Sequence, residues 1–462
     1  MDACPEFPLL QRLKTTLTMS LPYCSGILEV PPEALKLYYG GQDARCVHPV
    51  VASLRLPSLS SKPSHRFIDL QETATSNDPS GLEALANACE QARFGRGEET
   101  VLDETYRKAG KMDTDDFMTG LDIEATGLRD AVQLGLLSDK DEKRGVRAEL
   151  YKLNVYGEGA FFKPHKDTPR SQSMFGSLVV VFPTPHAGGA LVLRHNDDQF
   201  TFDAAALLSG RTSSIAYVAF FSDVEHEVAP VLSGHRVTLT YNLYYGTRRN
   251  IPAPARGLEV FQPPHASAST VKAALAALLD APTFLPRGGT LGFGLRHAYP
   301  IPKVWTHGME SPLKSLGAWL KGSDAALFAA CTALGVKPHL RLVCRDYEPG
   351  CESEIVLNQM LELGDCIESP EAALLSDGGR RVTDSYTFTG DAQKPWESVL
   401  YRDSFGLTVH WVTKASAKDG PRSAYVAYGN EASLDWLYTG VCLLVDVEPY
   451  VYRSGERGAW RV

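Results

Sequence analysis

YKLNVYGEGAFFKPHKDTPR, residues 151–170, sets His165 and Asp167 two positions apart. In an extended chain, side chains i and i+2 leave the backbone on the same face. Both groups can therefore reach one ion, and Lys166 points away. A third candidate ligand, His226, stands in SDVEHEV (222–228), too far along for a local turn to supply it. A sheet folded back on itself must bring it in. Two neutral imidazoles and one carboxylate leave three coordination positions open. That set suits non-haem Fe(II), which takes up a cosubstrate and O2 together. A structural zinc site would close its shell with four protein ligands, usually including thiolates. No H-x-x-x-H or C-x-x-C spacing accompanies these residues.

The intervening segments read as strands able to close such a sheet. Ser177 to Phe182 is a short apolar run ending at Pro183. Ala190 to Leu193 follows the Gly188-Gly189 turn, and Phe200 to Phe202 is brief and aromatic. Ile215 to Phe221 has the pattern of a buried strand, and Val237 to Tyr245 alternates with β-branched and aromatic residues. Runs of this length, bounded by Gly, Pro and Asp, predict an antiparallel sandwich or barrel, of which the jelly roll is one form.

Arg236 opens the strand after His226. A guanidinium grips a carboxylate through two parallel hydrogen bonds, so Arg236 is the candidate anchor for a dicarboxylate cosubstrate. Thr238, on the same face, offers a hydroxyl, and Tyr156 can place a phenol in the same pocket. Each has a plainer reading, a surface charge for the arginine and a half-buried core ring for the tyrosine. Their order around His226 favours the site reading.

These segments, with HAGGALVL (186–193) and SGHRVTLTYNLYY (233–245), resemble the iron- and 2-oxoglutarate-dependent oxygenases of the prolyl 4-hydroxylase type. More narrowly, they are similar to a fungal group within that class. The resemblance spans residues 146–246. It implies a double-stranded β-helix (jelly-roll) core, with His165, Asp167 and His226 as iron ligands and catalytic centre. It implies Arg236 as partner of the 2-oxoglutarate distal carboxylate, with Thr238 and Tyr156 as helpers. Fe(II), 2-oxoglutarate and O2 are the implied cofactor and cosubstrates, with ascorbate in support. The implied reaction is hydroxylation of a substrate C–H bond with release of succinate and CO2. A protein side chain such as prolyl is favoured as substrate, beside a small molecule. Many prolyl hydroxylases carry an aromatic three residues before the first ligand; here it is Phe162, which has no hydroxyl. Two other readings stay open: a silent sensor or interaction module that binds metal and 2-oxoglutarate, and a cupin-type metal enzyme that does not use 2-oxoglutarate.

Composition sets outer limits. The chain has 462 residues, enough for two or three domains. Its net charge of −9 argues against general nucleic-acid binding, which needs a basic footprint. Lys163, Lys166 and Arg170 nevertheless put a local basic rim around the metal motif. Nine scattered cysteines, none in the predicted catalytic core, fit reduced thiols in a cytoplasmic or nuclear protein. No secretory signal is visible, and no apolar run approaches the about 20 residues of a membrane span. Collagen is therefore an unexpected substrate.

The expected class is α+β. Residues 1–145 form a mixed region whose helices support the barrel, with helix candidates at Gly81–Gln91, Glu104–Lys111 and Leu128–Leu137. Residues 146–247 form the jelly-roll core. The Pro- and Gly-rich segment 248–267 reads as a linker. Residues 268–462 form an α+β domain with no second metal motif, and a homodimer through this half is one possible assembly. Asp113–Asp116 lacks the glycine and distal glutamate of a calcium loop. His186, near Gly188, is a candidate for the pocket mouth. His195 is expected at a strand end, and His297 shows no ligand spacing. The Tyr428-Gly429-Asn430-Glu431 turn suggests a helix N-terminus at Asn430.

Overall fold

The computed structural model describes residues 6–40, 66–76, 78–137, 144–247, 258–261, 267–302, 311–348, 351–358, 375–376, 378–387, 406–414, 428–430 and 436–454. Mixed α/β structure with many antiparallel strands is seen throughout. Two antiparallel sheets carry the site. The larger has eight strands. In spatial order these are Leu258–Phe261, Tyr23–Glu29, Ser214–Phe221, Met174–Val181, Arg236–Thr247, Arg144–Tyr156, Gly110–Asp113 and Glu90–Gln91. The smaller runs Asp198–Phe202, Leu191–His195, Glu225–Val228, Phe161–His165, Arg107–Lys108.

The strand pattern explains these positions. Ser214–Phe221 is buried at every residue, because neighbours flank both edges and both faces are covered. It therefore reads as an unbroken apolar run. Leu191–His195 alternates between buried and half-buried residues, as expected of a sheet with one dry face. One apolar core joins the two sheets, with Leu178, Val180, Phe182, Tyr217 and Leu239 from the larger and Phe162, Leu191, Leu193 and Val228 from the smaller. Helix Leu128–Leu136 packs on the larger sheet, against Tyr23–Glu29, Arg144–Tyr156 and Ser214–Phe221. Helix Ser80–Ala88 packs near Arg144–Tyr156.

A second core lies in the C-terminal half. Six strands, Gly289–Gly294, Gly406–Thr413, Arg380–Thr387, Cys351–Leu357, Pro338–Glu348 and Val441–Val447, close into a barrel. Helix Ala268–Leu279 starts where the Ser267 hydroxyl accepts the Thr270 N–H at 3.2 Å. It buries Val271, Ala274, Leu275, Leu278 and Leu279, a stripe of helical period, in this core. Helix Phe7–Thr18 joins it through Leu10, Leu13 and Leu17. Arg296 holds that helix by donating to the carbonyls of Leu17, Thr18 and Ser20 at 3.0–3.2 Å, which satisfies groups the helix end leaves open. No helix among the described residues is long and apolar enough to cross a membrane.

Several expectations need correction. Glu104–Lys111 is not a helix. Asp103 caps only a turn, and Arg107–Lys108 and Gly110–Asp113 are short strands. Gly110 lies where a Cβ would come within 2.7 Å of Cys89 Cβ, so strand pairing overrides the local helical pattern. The large sheet also takes strands from both sides of 146–247. Tyr23–Glu29 comes from the N-terminal region, and Leu258–Phe261 from inside the expected linker. The rest of that linker, apart from Ser267, lies outside the described residues.

The two cores meet at a buried ionic network. Lys321, 1% exposed, donates from Nζ to Asp223 Oδ1 at 2.8 Å and to Ala298 O at 3.2 Å. The Ala298 N–H donates to Asp223 Oδ2 at 2.9 Å, and His297 Nδ1 lies 3.2 Å from both carboxylate oxygens. Asp324 accepts the N–H groups of Arg296 and His297 and the Tyr299 hydroxyl. Burial alone would raise the Asp223 carboxyl, but Lys321 and His297 beside it hold it well below the usual carboxylate range. Replacing Lys321 with Met leaves that carboxylate buried without its ammonium. The expected loss is about 3–5 kcal/mol of stability, read from denaturant unfolding. A change under about 1 kcal/mol would show that the network does not hold the halves together.

Candidate active site

One cavity is walled by side chains of both sheets, and its polar members include the whole predicted set beside Arg107, Lys152, Asn154, Ser177 and Asn430. His165, Asp167, His226, Arg236, Thr238 and Tyr156 all line one cavity. His165 closes the strand Phe161–His165 and is the direct cross-strand partner of His226 on Glu225–Val228. Their ring centroids lie 4.2 Å apart. His226 Nε2 stands 3.8 Å from Asp167 Oδ1. All three residues are buried.

The backbone sets the imidazole tautomers. His165 Nδ1 lies 2.8 Å from Lys163 O, and His226 Nδ1 lies 3.1 Å from Val224 O. A carbonyl only accepts, so each Nδ1 carries its proton and each Nε2 presents a lone pair. Burial, and then the neighbouring His226, pulls the His165 pKa well below the usual histidine value, which keeps the ring neutral. Phe162 stacks on His165 with centroids 3.5 Å apart and fixes its plane. The Arg107 guanidinium lies 4.4 Å from the Phe162 ring centre and donates to Asn154 Oδ1 at 3.0 Å. Asp167 is oriented at both oxygens: Ser177 Oγ donates to Oδ2, and Asn430 Nδ2 donates to Oδ1 at 2.7 Å.

Arg236 lies deeper and is 1% exposed. It pairs across the sheet with Tyr156, and its Cζ lies 5.5 Å from that ring centroid. Its Nε and Nη2 find no acceptor among the described residues. Burial lowers its pKa from the usual arginine value. A buried guanidinium with two unsatisfied donors is costly unless an anion completes it. Thr238 stands two residues further along the same strand, its hydroxyl 3.4 Å from Asn154 O. The Gly188-Gly189 turn clears the way for the arginine. Both glycines have positive φ, and a Cβ on Gly189 would come within 2.9 Å of Arg236 Cδ and 2.8 Å of Val231 Cγ2.

The donor set fits a ferrous ion with a dicarboxylate beside it. It offers two imidazole lone pairs, one oriented carboxylate and an orphaned guanidinium in the same cavity. Among the described lining residues Asp167 is the only carboxylate, against Arg107, Lys152 and Arg236.

A second buried grouping, His195, Asp223 and His297, brings its ligand atoms within 4.8 Å of one another. Sequence spacing did not show it, because His297 comes from the other half of the chain. The Lys321 ammonium already stands 2.8 Å from the Asp223 carboxylate, in the place of a cation. This grouping is better explained as an ionic clasp. His186 is absent from the cavity lining and bonds Thr184 O through Nδ1. Glu227 pairs with Arg194 and takes no part in setting the His226 tautomer. The helix expected to start at Asn430 would run through residues 431–435, which lie outside the described residues; the Asn430 side chain itself enters the cavity. No spacing rule links it to Asp167.

Two expectations follow. Gly189→Ala should cost about 1–3 kcal/mol, since alanine must adopt a left-handed conformation and displace Arg236 or Val231; wild-type thermal stability would contradict this packing. The metal-free protein should also lose stability as pH falls below about 6.5. His165 and His297 both have depressed pKa values, the latter through burial offset in part by Asp223. The unfolded chain therefore binds more protons in that range, and each such histidine contributes a slope of up to about 1.4 kcal/mol per pH unit. Unfolding at pH 7 and pH 5 measures it, and a flat profile would refute it.

Residues 151–244 match the model of the 2OG-Fe(II) oxygenase superfamily. Among solved structures, a prolyl-4-hydroxylase from Pseudomonas putida shares 16% identity, covering 52% of this chain and 100% of its own, with a TM-score of 0.27. A prolyl hydroxylase from Trichoplax adhaerens, in complex with a hypoxia inducible factor oxygen degradation domain peptide fragment, shares 12% identity. It covers 52% of this chain and 92% of its own, with a TM-score of 0.27. A 2OG-Fe(II) oxygenase family oxidoreductase from Burkholderia pseudomallei shares 16% identity over 38% of this chain and 81% of its own, with a TM-score of 0.23. No curated protein matches the chain.

Proposed function

We propose that this 2-oxoglutarate-dependent dioxygenase hydroxylates a C–H bond of a protein side chain or small molecule, releasing succinate and CO2, on a double-stranded β-helix formed by the two facing sheets. The family works with Fe(II), 2-oxoglutarate and O2. In our reading His165, Asp167 and His226 hold the iron, and Arg236 receives the distal carboxylate of 2-oxoglutarate, helped by Tyr156 and Thr238. The single observation that carries this reading is the buried Arg236 with two donors unsatisfied, in one cavity with the His–Asp–His set. A prolyl side chain is the favoured substrate on the resemblance of the motif alone.

When bound, Fe(II) supplies the site for O2 activation coupled to decarboxylation of 2-oxoglutarate. The chain's own residues orient and shield. Lys163 O and Val224 O keep the Nε2 lone pairs of the two histidines free for the metal. Phe162, Val179, Leu191, Phe220 and Val228 supply apolar wall and exclude water. Arg236, dry and fixed by Tyr156 and Gly189, makes binding selective for a ligand with a second carboxylate. This favours 2-oxoglutarate use over a cupin-type enzyme that needs no such cation. The C-terminal barrel we read as an α+β support without iron of its own.

Purified protein supplied with Fe(II) should convert 2-oxoglutarate to succinate, and His226→Ala should stop it. Arg236→Ala should raise the 2-oxoglutarate KM about 30-fold or more, equivalent to about 2 kcal/mol. Thermal stabilisation by 2-oxoglutarate without succinate release from any substrate pool would favour a sensor instead. Searching treated lysates for products heavier by one oxygen atom would identify the substrate.

A further inference from the structure

Asp167 lies beyond the end of its strand, so no sheet ladder of its own strand fixes its carboxylate. Ser177 holds one of its oxygens, and the other is held from far along the chain. Residues 428–430 run beside the metal motif: Tyr428–Gly429 pairs with Phe94–Arg96, and Gly429 forms a parallel bridge with Lys166. Asn430 then spans the next two residues. Its Oδ1 accepts the Thr168 N–H at 3.0 Å, and its Nδ2 donates to Asp167 Oδ1 at 2.7 Å. The amide cannot be turned over, because a backbone N–H only donates and must meet the oxygen. The NH2 group is thereby forced onto the carboxylate.

We propose that Asn430 is a positioning residue of the metal site, by which the C-terminal half holds the Asp167 carboxylate in the orientation that binds the ion. This rests on the reading of Asp167 as an iron ligand. Ser177 fixes Oδ2 and Asn430 fixes Oδ1, the oxygen that faces His226. A carboxylate oxygen that accepts one such donor keeps a further lone pair for a metal. A carboxylate already oriented loses less freedom when the ion arrives, and partners of this kind typically change metal affinity about 10–100-fold. Iron affinity thus depends on segment 428–430 staying docked on the oxygenase motif.

The test uses the full-length protein. Anaerobic titration gives the Fe(II) dissociation constant, Mn(II) serves as a redox-silent probe, and absorption of the Fe(II)–2-oxoglutarate chelate reports ligand geometry. Asn430→Ala should weaken both metals about 10–100-fold and alter the chelate spectrum. Asn430→Ser, with a short polar group, and Asn430→Leu, of similar size but without a donor, guard against a fold defect in one variant. In folded variants, wild-type metal affinity and spectrum, or a fall in metal-free stability alone, would overturn the proposal. His226→Ala is the control on the underlying reading. If it binds Fe(II) like wild type, the ligand assignment fails. If it loses Fe(II) while the Asn430 variants keep it, only the role of Asn430 fails.

Discussion

The register between Phe161–His165 and Glu225–Val228 governs the site. His165 sits directly opposite His226, so the two imidazoles leave neighbouring backbones on one face. A slip of one residue would turn His226 to the other face and put a glutamate in its place. Burial on both flanks of the register makes that slip costly. Phe162 pairs with Val228 in the same ladder, and both belong to the shared core. Apolar packing thus fixes where the polar groups point. The carbonyls of Lys163, in the first strand, and Val224, just before the second, each two residues before its histidine, complete the arrangement.

Arg236 shows the opposite balance. Nothing among the described residues satisfies its Nε and Nη2, yet it is almost wholly buried. A protein retains such a group when a ligand supplies the missing acceptor. The Gly188-Gly189 turn exists in a conformation that leaves the arginine its path. On the proposed reading, the stability given up at the guanidinium leaves a preorganised anion site.

Much of this was legible from residue order. The strands at 174–181, 191–195, 214–221 and 236–247 announce themselves through apolar runs and alternation, and a two-residue period explains why. The helices at 128–136 and 268–279 follow from their apolar stripes. Glu104–Lys111 misled because a capped turn and a helical pattern look alike until Gly110 meets Cys89. The strands 23–29 and 258–261 carry no mark of which sheet they join, since pairing partners are not written in local periodicity. Asn430 and His297 were opaque for the same reason: their partners Asp167 and Asp223 lie in the other half of the chain.

Those two contacts have a common consequence. Asp223 stands one residue before Val224, whose carbonyl sets the His226 tautomer. Lys321 and His297 of the C-terminal half grip that aspartate, while Asn430 of the same half grips Asp167. The C-terminal half therefore bears on both chain segments that present the candidate ligands, once through a buried ion pair and once through an amide. Neither contact involves Arg236. On the proposed assignment, loosening the C-terminal half should therefore disturb the metal before the cosubstrate carboxylate, because among the described residues the contacts from across the chain bear on the metal's side of the cavity.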